Sequence, residues 1–150
     1  MLSRLFKLYC LILITILTSA CAGTRPSHLG KINTDLPPCP DKPNCVSSQA
    51  QPDDETHFIQ PLSVSNEKVA REQLTSLLQQ WPEADLQVNS PTYMYAEFTS
   101  DWLGFVDDVE FLFGENDGII HLRSASRLGY ADFDVNRKRI ERIRAALQNK

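Results

Sequence analysis

No apolar run in this chain reaches the roughly 20 residues a helix needs to span a bilayer; residues 8–17 (LYCLILITIL) supply ten. Nor is there a basic excess. Fifteen Lys and Arg stand against 19 Asp and Glu, a formal charge of -4, which removes the electrostatic basis for binding nucleic acid or an anionic membrane surface. No glycine-rich phosphate loop, clustered metal-ligand pattern or cofactor fingerprint occurs, so neither cofactor nor metal is expected. The three histidines are His28, His57 and His121. None sits in a motif with a nucleophile and an orienting acid, so a hydrolytic triad has no support in the sequence. There are four cysteines and no CxxC spacing, which excludes a redox pair of that type.

What the N-terminus does contain is an address. Arg4 and Lys7 precede the ten-residue apolar run, and Thr18, Ser19 and Ala20 place small residues before Cys21, the pattern of a signal peptide over residues 1–20. LTSAC also resembles a bacterial lipobox, which implies cleavage before Cys21 and acylation of that cysteine, palmitate being one such chain. Leu17 stands four residues before the cysteine and Thr18 three, a departure from the favoured order. Two or more acyl chains hold a protein stably where one does not. Ala22 replaces the aspartate of the inner-membrane retention signal, so the expected location is the cell envelope, lipid-anchored at the outer membrane and facing the periplasm. Loss of Arg4 and Lys7, two positive charges, would take the net charge from -4 to -6.

Cys10 is expected to leave with the signal peptide, and Cys21 is the lipidation site that the lipobox resemblance implies. Cys39 and Cys45 then remain in an exported domain, where a disulfide is expected. The alternative, zinc, lacks a second Cys/His pair nearby.

Residues 21–38 show no apolar periodicity and read as a flexible tether, and 39–150 as one domain. Residues 39–55 carry three prolines and form an irregular, stapled loop. A short strand is expected over 57–62, then a helix from a Ser65 cap to Trp81, with Ala70, Leu74, Leu77, Leu78 and Trp81 on one face. Strands follow over 86–89, 93–99, 106–113 and 119–125. The last helix spans 135–147, capped by Asp134, with Ile140, Ile143 and Leu147 inward. Short connections favour antiparallel neighbours. The expected fold class is α+β, two layers, a mainly antiparallel sheet of about four to five strands with two helices on one face.

Two motifs carry a family resemblance: Cys39-Pro-Asp-Lys-Pro-Asn-Cys45-Val-Ser-Ser48, and Arg123-Ser-Ala-Ser-Arg-Leu-Gly-Tyr-Ala-Asp132 followed by Asn136-Arg-Lys-Arg-Ile140. With Asp107-Asp108-Val-Glu110-Phe between them, the chain resembles the domain of unknown function 1499 family over residues 38–147. The resemblance supports the fold and its boundaries and brings no mechanism. A glycine commonly stands where this chain has Asp134, which implies a different turn into the last helix.

A two-residue turn at Asp117-Gly118 would pair Asn116 with Ile119, Phe113 with Leu122, Phe111 with Ser124 and Val109 with Ser126. The opposite face then collects Asp108 across from Arg127, and Glu110 diagonal to Arg123 and Arg127. Either Tyr93, Tyr95 and Glu97 or Met94, Ala96 and Phe98 flank the cluster. It admits three readings. One is a structural ion-pair network. The second is a binding surface, with Asp108, Glu110, Arg123, Arg127, Asp132, Asn136 and Arg137 as candidate residues and guanidinium forks recognising an anionic small ligand or an envelope protein. The third is an acid/base hydrolase acting on an envelope substrate, using Asp108 and Glu110 or Asp107 and Asp132, with Ser124 or Ser126 as nucleophile. The first two together favour a non-enzymatic binding or structural accessory module. The hydrolase is the alternative.

Overall fold

The computed structural model describes residues 23–30, 35–116 and 118–148; the signal-peptide and Cys21 expectations lie outside them. Six strands form one antiparallel sheet: β1 (Cys45–Ser47), β2 (Leu62–Ser63), β3 (Ala84–Asn89), β4 (Tyr93–Thr99), β5 (Val106–Asn116) and β6 (Ile119–Ser126). The order is β1-β6-β5-β4-β3, with β2 also paired to β6. Helices α1 (Glu67–Gln80) and α2 (Val135–Gln148) complete an α+β fold. The sheet is somewhat larger than expected because β1 and β2 have three and two residues, too few to display a period in sequence.

Alternation along the long strands decides the layers. Met94, Ala96 and Phe98, Val109, Phe111 and Phe113, and Ile120 and Leu122 share one face and pack with Ala70, Leu74 and Leu78 of α1 and Ile140 and Ile143 of α2. Burying each large apolar side chain here is worth about 1.5–3 kcal/mol. Both helices therefore lie on one face. Helix α1 starts one residue later than expected: Asn66, not Ser65, accepts the Val69 N–H at 3.0 Å. It stops at Trp81 before Pro82, and Trp81 meets Phe98 edge-on at 6.1 Å.

The hairpin register departs from the simple count. Asn116 does pair with Ile119, but Phe111 then pairs with Leu122, Val109 with Ser124 and Glu110 with Arg123. Two extra residues of β5 are absorbed between Leu112 and Asn116, where Gly114 takes φ 88°. A shift of two moves every partner while preserving its face, because the side-chain period is two.

The outer face is not bare. Leu29 and Leu36 pack on Tyr93, Tyr95 and Leu112, so among the described residues the stretch expected as tether lies against the sheet. Cys39 and Cys45 are bonded, which joins this stretch to the start of β1. A seven-residue loop of this kind is worth about 2 kcal/mol in the chain-entropy account.

Candidate functional site

The outer face assembles two parallel Tyr–carboxylate–Arg units. In the first, the Tyr95 hydroxyl lies 2.6 Å from Asp108 Oδ1 and 2.8 Å from Glu97 Oε1. Arg127 donates through Nε to both Asp108 oxygens (3.1 and 3.0 Å) and through Nη2 to Asp108 Oδ1 at 2.7 Å. The same Nη2 approaches Glu97 at 2.6 Å and Tyr95 at 3.0 Å. Arg25, from the segment that covers the sheet, pairs with Glu97 at 3.0 Å, bonds Tyr95 at 3.2 Å and lies 4.8 Å over its ring. In the second unit, Tyr93 donates to Glu110 Oε1 at 2.7 Å and Arg123 Nη1 to Glu110 Oε2 at 3.3 Å. His28 Nε2 stands 3.9 Å from that oxygen.

Three carboxylates face three guanidinium groups, and both hairpin acids are only 2% exposed. Burial works against ionised Glu97, but the Tyr95 and Arg127 hydrogen bonds and the guanidinium charges outweigh it and hold the group below the usual carboxylate range. Hydrogen bonding to Asp108 is the main cause that raises Arg127. Burial, reinforced by the neighbouring carboxylates, raises both Tyr93 and Tyr95. Their raised folded pKa means that neutral phenols contribute stability fully below the ordinary tyrosine value near 10 and lose it as pH climbs through the folded value. Tyrosine ionisation followed by absorbance should therefore show these two phenols titrating only as the domain unfolds in alkali. Titration near pH 10 with the circular dichroism intact would contradict this account.

A second network lies under the sheet at the start of α2. Arg139 donates to Asp107 at 2.6 Å, Asn136 Oδ1 at 2.7 Å and Ser124 Oγ at 3.1 Å, with its guanidinium 4.7 Å over Phe98. Asn136, fully buried, reaches Asp132 Oδ2 at 2.8 Å, Ser126 Oγ at 2.9 Å and the Asn44 carbonyl at 3.1 Å through Nδ2. Asp132 rather than Asp134 performs the capping, accepting the backbone N–H groups of Asp134 and Asn136. Asp134 itself has φ 66°. An aspartate thus occupies the left-handed conformation that glycine favours, and the turn keeps a glycine-type backbone.

The seven candidate residues therefore fall in three places. Asp108, Glu110, Arg123 and Arg127 gather on the outer face, with Arg127 diagonal to Asp108 rather than opposite it. Asp132 and Asn136 belong to the inner network. Arg137 points elsewhere, donating to the carbonyls of Phe58, Thr56 and Glu55. The Tyr93, Tyr95 and Glu97 set is the one that flanks the outer cluster. Sequence reasoning missed Arg139 and Asn44 in the inner network and Arg25 in the outer one. Asn44 and Arg139 stand inside the two motifs, and that position was the available signal.

The model of the family described as protein of unknown function (DUF1499) matches residues 35–147. The chain belongs to the DUF1499 family. The match spans the sheet, both helices up to residue 147, the inner network and the strand residues of the outer one, whereas Arg25 and His28 lie before it. No curated protein matches this DUF1499 chain.

Proposed function

We propose that this DUF1499 protein is an exported, lipid-anchored envelope protein, a non-enzymatic accessory module whose outer-face cluster clamps the segment after Cys21 onto the sheet. One contact carries the clamp: Arg25, four residues beyond Cys21, enters the Arg127–Asp108 cluster through Glu97 and Tyr95. Arg123 and Arg127 are engaged by the protein's own acids, which favours a structural role over capture of a free anion by these two groups. Asp108 and Glu110 at 2% exposure under the covering segment, and Ser124 at 0% beneath α2, favour it over acid/base hydrolysis, since a substrate would have to displace that segment or the helix first. An envelope protein is the natural partner class for such a module, and attachment to the outer membrane follows from Ala22 after the lipobox-like sequence.

Metabolic labelling with a palmitate analogue tests the anchor. The native chain should be labelled and fractionate with the outer membrane, and Cys21→Ser should accumulate as an unlabelled precursor. Normal processing of that variant would replace the anchor with ordinary secretion.

A further inference from the structure

Eight large apolar residues are conspicuously exposed among the described residues, and seven lie at one end of the sheet: Trp102 (96%), Leu103, Phe105, Leu128, Tyr130, Phe133 (86%) and Val135. Val69 on α1 is the exception. Isolated exposed apolar groups need no explanation, but a concentration of this kind marks an interaction surface. The antiparallel order dictates the grouping. The β4–β5 connection leaves the same edge as the β6–α2 connection, and the Arg127 N–H donates to the Val106 carbonyl at 3.1 Å across them.

Both connections are built to hold these groups outward. In the first, the Ser100 N–H donates to the Phe105 carbonyl, Phe105 N–H to Ser100 Oγ, and Gly104 N–H to the Ser100 carbonyl. The loop is tied at its base and Trp102 and Leu103 form its tip. In the second, Phe133 takes φ 56° and Asp134 φ 66° in succession, backbone strain accepted where the phenyl ring faces solvent.

An independent observation says what covers this end. Gly23 rests against the same connection: a Cβ on it would stand 3.0 Å from Arg127 Cβ and 3.1 Å from Leu128 Cγ. From there the chain runs down the outer face to Gly30, whose N–H meets the Tyr93 hydroxyl. Cys21 precedes Gly23 by two residues, a span of about 7 Å at most.

We propose that this end of the domain is seated in the headgroup region of the bilayer, with Trp102, Leu103, Phe105, Leu128, Tyr130 and Phe133 as interfacial anchors beside the acylated Cys21. The inference rests on Cys21 being the lipid site. Trp and Tyr favour that boundary because an apolar ring and a polar edge match it, and the acyl chains supply the affinity that scattered side chains lack. Asp101, Asp132 and Asp134 share these loops, so seating does not depend on anionic lipid and is insensitive to salt. The domain therefore lies against its membrane rather than hanging from a stalk.

The test reconstitutes the full acylated protein into phosphatidylcholine vesicles whose acyl chains carry bromine, a short-range quencher of tryptophan. Trp102 and Trp81 are separated by subtracting the emission of Trp102→Phe. Trp102 should be blue-shifted and lose much of its emission in brominated vesicles, equally in low and high salt, while Trp81 is unaffected. A Trp102→Ser, Phe133→Ser variant should keep its melting temperature and remain vesicle-bound, yet leave its loops open to protease. An anchored protein with unquenched, water-exposed Trp102 overturns the proposal, as does protection of Trp102 in native envelopes without quenching by lipid, which would assign the surface to a protein. Mass spectrometry of the N-terminus separates the two readings. Should Cys21 carry no lipid, the anchor reading fails; quenching of Trp102 in that chain mixed with the same vesicles would still support the seating, and its absence would overturn it.

Discussion

Arg127→Ala should destabilise the domain by about 3–5 kcal/mol in urea or thermal unfolding, the range for removing one partner of a buried ion pair. The reason is what remains. Asp108 is 2% exposed and would keep the Tyr95 hydroxyl as its neutral partner while losing three guanidinium contacts. Glu97 would keep Arg25, whose side chain is 45% exposed. Arg127→Lys should recover only part of the loss, because a single ammonium cannot reproduce the fork that meets both Asp108 oxygens. Combining Arg127→Ala with Asp108→Ala should cost clearly less than the sum of the two single changes, by roughly 0.5–3 kcal/mol, as residues in one network do. Additive losses would mean that the cluster contributes packing alone.

The parts of this fold that were legible in the sequence are those with a sustained period. The alternating apolar and polar residues of β5 and β6 identified the inner and outer faces, and the outer cluster followed from the faces, while β4, with aromatic residues in both of its alternating sets, left its own facing open. The partners within it did not, because the two extra residues at Gly114 slide β5 without rotating it. A bulge leaves no mark on the alternation when it adds two residues. The strands β1 and β2 had no room for a pattern and depend on β6 for their existence. The segment before Leu36 looked like a spacer because its contacts are tertiary: Arg25 and His28 read as isolated polar residues until the sheet supplies Glu97, Tyr95 and Glu110. The same holds for Arg139, which in isolation is one more charge in NRKRIERIR. Its meaning comes from Asp107, more than thirty residues away, which sequence alone could offer only as an acid for catalysis.

Asn136 shows most directly why the motif around it resists change. Asn136→Ala should destabilise by about 3 kcal/mol or more, since one buried group left unpaired costs roughly 1–3 kcal/mol and this amide serves several at once. Its Oδ1 accepts from Arg139, and its Nδ2 meets Ser126, Asp132 and the Asn44 carbonyl. Losing it would unpin α2 from β1 and β6 together, because Asn44 is the residue before β1 and Ser126 ends β6. Asn136→Asp separates size from chemistry. The new carboxylate keeps the acceptor facing Arg139 but turns a second oxygen toward Asp132 Oδ2, where the amide donated at 2.8 Å. It should therefore destabilise near neutral pH and improve relative to Asn136→Ala as pH falls, when a proton shared with Asp132 restores a donor. Denaturation curves of the two variants across the acid range check this. A constant gap between them would show that the carboxylate at Asp132 does not face the amide as described.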